Sequence, residues 1–207
     1  MNHSAPLPQR CLPGTEAPTR ALFVDRWGTL LELPSDTPRR FSDARYVAGA
    51  VDALHKAQRE GWSVYLVGNE DHVAYGRISD QEWLDFEGEL LSSLAARGVS
   101  PTRLYACLDH PQGRDPHRKP SVFRLPDTGL FYHALQADGL QLHQSWVVGD
   151  SSLEIAAGQR AGCKTAGVRS GLALRDRELA IEPDVVFDDL AQMVHTLVRS
   201  PAYARPR

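Results

Sequence analysis

Six short apolar, β-rich runs recur along the chain, and stretches with helical periodicity fill the gaps between them. The runs are 21–25, 62–68, 103–108, 145–149, 164–168 and 184–187. Val47, Val51 and Leu54 share one helical face, with Gly61 set to end that helix. Ser79-x-x-Glu82 is a capping box opening a helix that turns Trp83, Phe86, Leu90 and Leu94 inward and closes at Gly98. Leu130, Ala134 and Ala137 mark a third helix ended by Gly139, Ile155 and Gln159 a short fourth, and Leu190, Val194 and Leu197 the last. Strand–helix alternation at this spacing predicts an α/β fold, a Rossmann-like parallel sheet with helices on both faces and right-handed crossovers. In such sheets ligands bind beyond the carboxyl ends of the strands. Asp25, 68–72, 108–119 and Asp150 all fall at predicted strand ends.

Composition narrows the picture mainly by exclusion. A chain of 207 residues suffices for one sizeable core, taken as a single domain over 21–199. Residues 1–20 hold four prolines and read as a loose leader, and 200–207 as a short tail. The stretch between the first two runs is too short for a large inserted domain, so any cap is minimal. A net charge of −3 gives no electrostatic case for nucleic acid or an anionic membrane. No apolar run reaches membrane-span length, and no basic-then-apolar segment opens the chain. Cys11, Cys107 and Cys163 are odd in number and widely spaced, which argues against a disulfide framework and makes a reducing cytoplasm the expectation.

Candidate chemistry centres on Asp25, at the end of the first run in Ala21-Leu22-Phe23-Val24-Asp25-Arg26-Trp27-Gly28-Thr29-Leu30. A carboxylate that attacks phosphorus needs charge neutralisation, normally from Mg²⁺ and a lysine. Magnesium keeps several waters and asks for only one or two carboxylates. Lys119 in Arg118-Lys119-Pro120 and Asp150 in Val147-Val148-Gly149-Asp150 are the matching candidates. Glu154 is open to two roles, because Ser151-x-x-Glu154 is itself a capping box. Glu70 and His72 follow the second run and read as solvated loop residues, with replacement of a missing acid as the alternative. His55, His133, His143 and His195 read as having no chemical role, and Trp62, Trp83 and Trp146 as packing.

Asp25-Arg26-Trp27-Gly28-Thr29, Lys119, and Gly149-Asp150 with Glu154 together resemble the motifs of the haloacid dehalogenase (HAD) superfamily of phosphohydrolases. Asn69, Ala74-x-Gly76 and the stretch from Cys107 to Pro120 resemble its heptose-bisphosphate and histidinol-phosphate phosphatase branch. The resemblance implies the HAD fold, a Mg²⁺ cofactor and a small phosphorylated sugar or alcohol as substrate. It assigns Asp25 as nucleophile, Lys119 as phosphate clamp, and Asp25, the Trp27 carbonyl and Asp150 as Mg²⁺ ligands. Gly68, Asn69 and Arg118 would contact substrate.

Three departures stand out. Trp27 replaces the second aspartate of the family pattern, and an indole cannot accept and return a proton. Gly68 stands where the family has a Ser or Thr, so the indole is expected over Gly68 as a volume exchange. Cys107, Asp109, Asp115 and His117, with His110 as an extra, occupy the positions of a structural Zn²⁺ set, and one thiolate with carboxylates is a poor version of it. Two classes remain open at this point: a weak or specialised Mg²⁺-dependent phosphohydrolase, and a non-catalytic binding or regulatory protein on the same fold.

Overall fold

β1 (Ala21–Asp25) is buried over its whole length, as a central strand covered on both faces must be. The computed structural model describes residues 20–176 and 178–199, so the expected leader (all but Arg20) and the tail lie outside the described residues. After β1 come α1 (Ala50–Arg59), β2 (Ser63–Asn69), α2 (Asp71–Ala74), α3 (Asp80–Ala96) and β3 (Arg103–Cys107). The second half runs α4 (Gly129–Asp138), β4 (Trp146–Gly149), α5 (Ser152–Arg160), β5 (Lys164–Val168), β6 (Val185–Phe187) and α6 (Leu190–Arg199). The six strands form one sheet in the order β3-β2-β1-β4-β5-β6, and every pairing is parallel. This is the expected Rossmann-like parallel architecture. Between β1 and β2 the chain has only a loop, one short 3-10 turn and α1, so no inserted cap domain stands there.

Alternation along the strands divides the core into two layers. Leu22, Val24 and Leu66 face α1, α3 and α6, packing with Leu54, Phe86, Leu90 and Val194. Phe23, Tyr65, Val67 and Val147 face α4 and α5, packing with Phe131, Ala134 and Ala157. Trp62, Trp83 and Trp146 are all buried, as read from the sequence.

Helix ends follow local chemistry closely. The Ser79 hydroxyl accepts from the Glu82 N–H at 3.2 Å while Glu82 Oε2 accepts from the Ser79 N–H at 2.7 Å, closing the capping box on α3. Gly139 ends α4 in the left-handed region. Some strand ends shift by a residue from the expected runs, and one helix starts later. Val47 precedes α1 rather than lying on it, because Gly49 turns left-handed at φ +73° and Val47 is tied to the Leu30 carbonyl instead. Cys107 and Cys163 are free thiols, and burial pushes the Cys163 thiol up to about 12. Among the described residues no helix is long and apolar enough to cross a membrane.

Candidate active site

The strand order reverses between β1 and β4, and that reversal opens a crevice at the carboxyl ends of the strands. Val24 pairs with Val148, so Asp25 and Asp150 leave neighbouring strands at the same end. Gly28, at φ +84°, turns the chain immediately after β1. A Cβ at Gly28 would stand 1.9 Å from Asp150 Oδ2, and one at Gly171 2.0 Å from the same atom. Only glycine at both positions lets the backbone close on this carboxylate. The Leu172 N–H donates to Asp150 Oδ2 at 2.6 Å, and the Leu174 N–H to the Asp150 carbonyl at 2.7 Å. Glu154 serves α5: its Oε2 accepts from the Ser151 N–H at 3.2 Å and from the Ser151 hydroxyl.

Asp25, Asp150 and Glu154 are nearly shut off from solvent. Burial raises the Asp25 carboxyl well above the ordinary range, and the charges of Glu154 and Asp150 raise it further against the opposing pull of Arg26. Burial lifts Asp150 to about 7, with the Leu172 N–H pulling the other way and Glu154 adding to the rise. Glu154 is raised as well, by burial first. Three crowded acids therefore resist carrying their full charge unless a cation joins them.

The corner formed by β1, β2 and β3 holds what the sequence did not announce. Arg26 is fully buried. Its Nε donates to Glu70 Oε1 at 2.9 Å, its Nη1 to the Tyr105 carbonyl at 3.0 Å, and its Nη2 to the Gly68 carbonyl at 3.1 Å and to Glu70 Oε1. Glu70, read above as solvated, is 2 % exposed and forms the other half of a buried ion pair. Its carboxyl is raised by burial, with Arg26 opposing. The atoms nearest to a Cβ at Gly68 belong to Asp25 and Arg26. Trp27 packs instead on Phe86, ring centroids 5.6 Å apart, with its Nε1 3.4 Å from Glu70 Oε2. The expected exchange of volume is therefore between Gly68 and Arg26, and the indole takes no part in it. Alternation offered a signal for this: Arg26 continues the inward face of Leu22 and Val24.

Each of the remaining predicted residues has a partner of its own in the fold. Lys119 is 58 % exposed, its ammonium 3.6 Å from Asp109 Oδ1. Arg118 is exposed and donates from Nε to the Gly113 carbonyl at 2.9 Å. Asn69 uses both ends of its amide to hold Leu125, donating to its carbonyl at 3.0 Å and accepting from its N–H at 2.9 Å. That pairing makes Asn69 an anchor for the loop after β3 rather than a free substrate contact.

The zinc set is not assembled either. His117 hydrogen-bonds Asp80 through Nε2 at 2.8 Å and Asp109 through Nδ1 at 3.1 Å, leaving neither ring nitrogen free for a metal. Cys107 Sγ lies 3.5 Å from the Asp109 carbonyl, and Asp115 is exposed. Among the described residues no three His, Cys, Asp or Glu side chains converge on a point that could hold a metal ion. A closed zinc cage needs four ligands and favours thiolates, so the loop is held by hydrogen bonds and charge pairs instead.

Magnesium asks for less. Two hard carboxylates, Asp25 and Asp150, and a backbone carbonyl at Trp27 are a sufficient protein contribution, water completing the shell. The crowding of buried acids fits a divalent cation, which would remove the repulsion that raises them. A pH experiment checks this. A carboxyl raised from an ordinary 3.8 to about 7 in the folded state favours folding below the lower value. That contribution is lost as pH climbs through the higher one. Excess Mg²⁺ binds the deprotonated pair, so its gain in Tm is expected to be clearly larger at pH 8 than at pH 5. Equal gains at the two pH values would count against a cation at these carboxylates.

Comparison with known proteins gives a consistent answer. A HAD-hydrolase-like family model matches residues 122–193. The D-glycero-D-manno-heptose-1,7-bisphosphate 7-phosphatase of Chlorobaculum tepidum is 32 % identical over 189 residues, covering 84 % of this chain and 92 % of that protein. The D-glycero-β-D-manno-heptose-1,7-bisphosphate 7-phosphatase of Haemophilus ducreyi is 29 % identical over 182 residues, covering 84 % and 96 %. Among solved structures, a D,D-heptose 1,7-bisphosphate phosphatase from B. bronchiseptica, complexed with magnesium and phosphate, superposes with a TM-score of 0.77. It is 20 % identical, with 87 % of this chain and 99 % of that one covered, a likeness of fold.

Proposed function

Because this chain belongs to the HAD superfamily, in its heptose-bisphosphate phosphatase branch, we propose that it is a phosphohydrolase acting on a small phosphorylated sugar through Asp25. The observation that carries this reading is that buried Asp25 and Asp150 leave the adjacent strands β1 and β4 at the same carboxyl end. Attack by a carboxylate oxygen of Asp25 forms an aspartyl-phosphate and releases the alkoxide of the sugar, and water then cleaves the acyl phosphate. When bound, Mg²⁺ would neutralise charge between the carboxylates and the transferring phosphoryl group. Asp25 and Asp150, with the Trp27 carbonyl, are the residues to hold it. Gly68 keeps a backbone N–H without a hydroxyl to offer the phosphoryl oxygens. Arg118 and Lys119, exposed on the loop after β3, are the cations available to anionic parts of the substrate farther out.

Proton transfer is the weak step. Trp27 occupies the acid–base position and its indole is only a donor. Turnover is therefore slow, limited by an unprotonated leaving oxygen and an unactivated water. The test is phosphate release from a panel of sugar and alcohol phosphates with Mg²⁺, comparing wild type with Asp25→Asn. Wild-type turnover that Asp25→Asn abolishes is the expected result. Turnover that survives Asp25→Asn, or is absent from wild type across the panel, rejects the reading.

A further inference from the structure

The corner beside Asp25 brings Arg26 and a position without a side chain to a single point. A Cβ at Gly68 would stand 3.1 Å from Asp25 Oδ1 and 3.2 Å from Arg26 Nη2. Carboxylate and guanidinium therefore flank the same side-chain-free spot. The guanidinium is not free to move. Glu70 holds its Nε and Nη2, the Gly68 and Tyr105 carbonyls hold Nη2 and Nη1, and its Cζ lies 5.3 Å from the Trp83 ring centroid. A planar fork satisfied on three sides is rigid, unlike an ammonium on a long stem. With no surface exposed to solvent, it cannot meet a substrate and can act only through its neighbours.

We propose that Arg26, clamped by Glu70, is the positioning residue of Asp25: it fills the volume a side chain at position 68 would need and sets a fixed positive charge against the nucleophile. The role in phosphoryl transfer rests on the phosphohydrolase reading, whereas the place of Arg26 beside Asp25 does not. The absence of a side chain at position 68 then has a physical cause. Arg26 already occupies the space beside Asp25. Arg26 also provides the attraction that opposes the repulsion of Asp25 by Glu154 and Asp150. Gly68 follows as a requirement: a serine there pushes either on the carboxylate or on the guanidinium.

Two measurements test the proposal. The first is a double-mutant cycle in Tm, with Gly68→Ser made in wild type and in Arg26→Met/Glu70→Met. The φ of +151° at Gly68 strains any other residue in both backgrounds, so that cost cancels. Serine is expected to lower Tm markedly less where the guanidinium is gone. Equal losses in the two backgrounds overturn the proposal, whatever the activity.

The second is a fluorine NMR titration with beryllofluoride and Mg²⁺, a phosphoryl mimic that bonds to a free carboxylate oxygen. A bound resonance is expected in wild type and none in Asp25→Asn. Affinity in Arg26→Met/Glu70→Met is expected to be roughly tenfold weaker, with Arg26→Lys between that variant and wild type. A pair variant that binds the mimic as tightly as wild type overturns the positioning role. If wild type binds no mimic and the cycle still shows coupling, the phosphohydrolase reading falls and the place of Arg26 beside Asp25 stands.

Discussion

Trp27→Asp is expected to raise phosphohydrolase turnover by ~10²–10⁴-fold, the usual contribution of a positioned general acid–base group. The residue lies two positions beyond Asp25, in the turn that Gly28 makes over Asp150. Its indole packs on Phe86 and points its N–H toward Glu70, so no proton acceptor faces the nucleophile from this position. An aspartate there supplies one. The substitution also gives up the ring contact with Phe86 and brings a carboxylate toward Glu70, so stability falls while turnover rises. Trp27→Ala separates the two effects, since it removes the same ring without adding an acid. Steady-state phosphate release from the best substrate of the panel, measured for all three proteins, decides the matter. An aspartate variant no faster than the alanine variant removes the acid–base explanation of slow turnover.

The second large effect concerns stability. Arg26→Met alone is expected to cost ~3–5 kcal/mol, because it leaves the Glu70 carboxylate buried without its partner. In a protein of this size that corresponds to a drop of roughly 6–20 °C in Tm. Arg26→Met/Glu70→Met is expected to cost far less, since two apolar side chains without the guanidinium or the carboxylate replace a pair whose desolvation was expensive from the start. The Gly68 and Tyr105 carbonyls lose a donor in both variants, so that penalty does not separate them. Urea unfolding of the single and double variants gives the comparison. A double variant as damaged as the single one would show that hydrogen bonds to the two carbonyls, rather than charge burial, dominate this corner.

Much of the fold was legible in the chain because its signals are local. Apolar runs of strand length, Ser79 with Glu82, Ser151 with Glu154, and Gly98 and Gly139 each act within a few residues of themselves. Asp25 and Asp150 were legible as a pair for a related reason. Both follow strands, and a parallel sheet brings strand ends to one rim whatever the details of packing.

Strand ends and loops were a different matter. Asn69, Lys119 and His117 carry residue types suited to a site. Whether they reach it depends on partners outside their own local stretch: Leu125 for the first, Asp109 for the second, Asp80 and Asp109 for the third. Arg26 and Glu70 are the sharpest case. The sequence determined that one follows β1 and the other β2; alternation sets Arg26 on the face of Leu22 and Val24, but nothing near Glu70 says that its charge should be buried. Only the side-by-side pairing of β1 and β2 decided it, by putting an arginine and a glutamate from adjacent strand ends into the same water-free corner, where each is tolerable because the other is present.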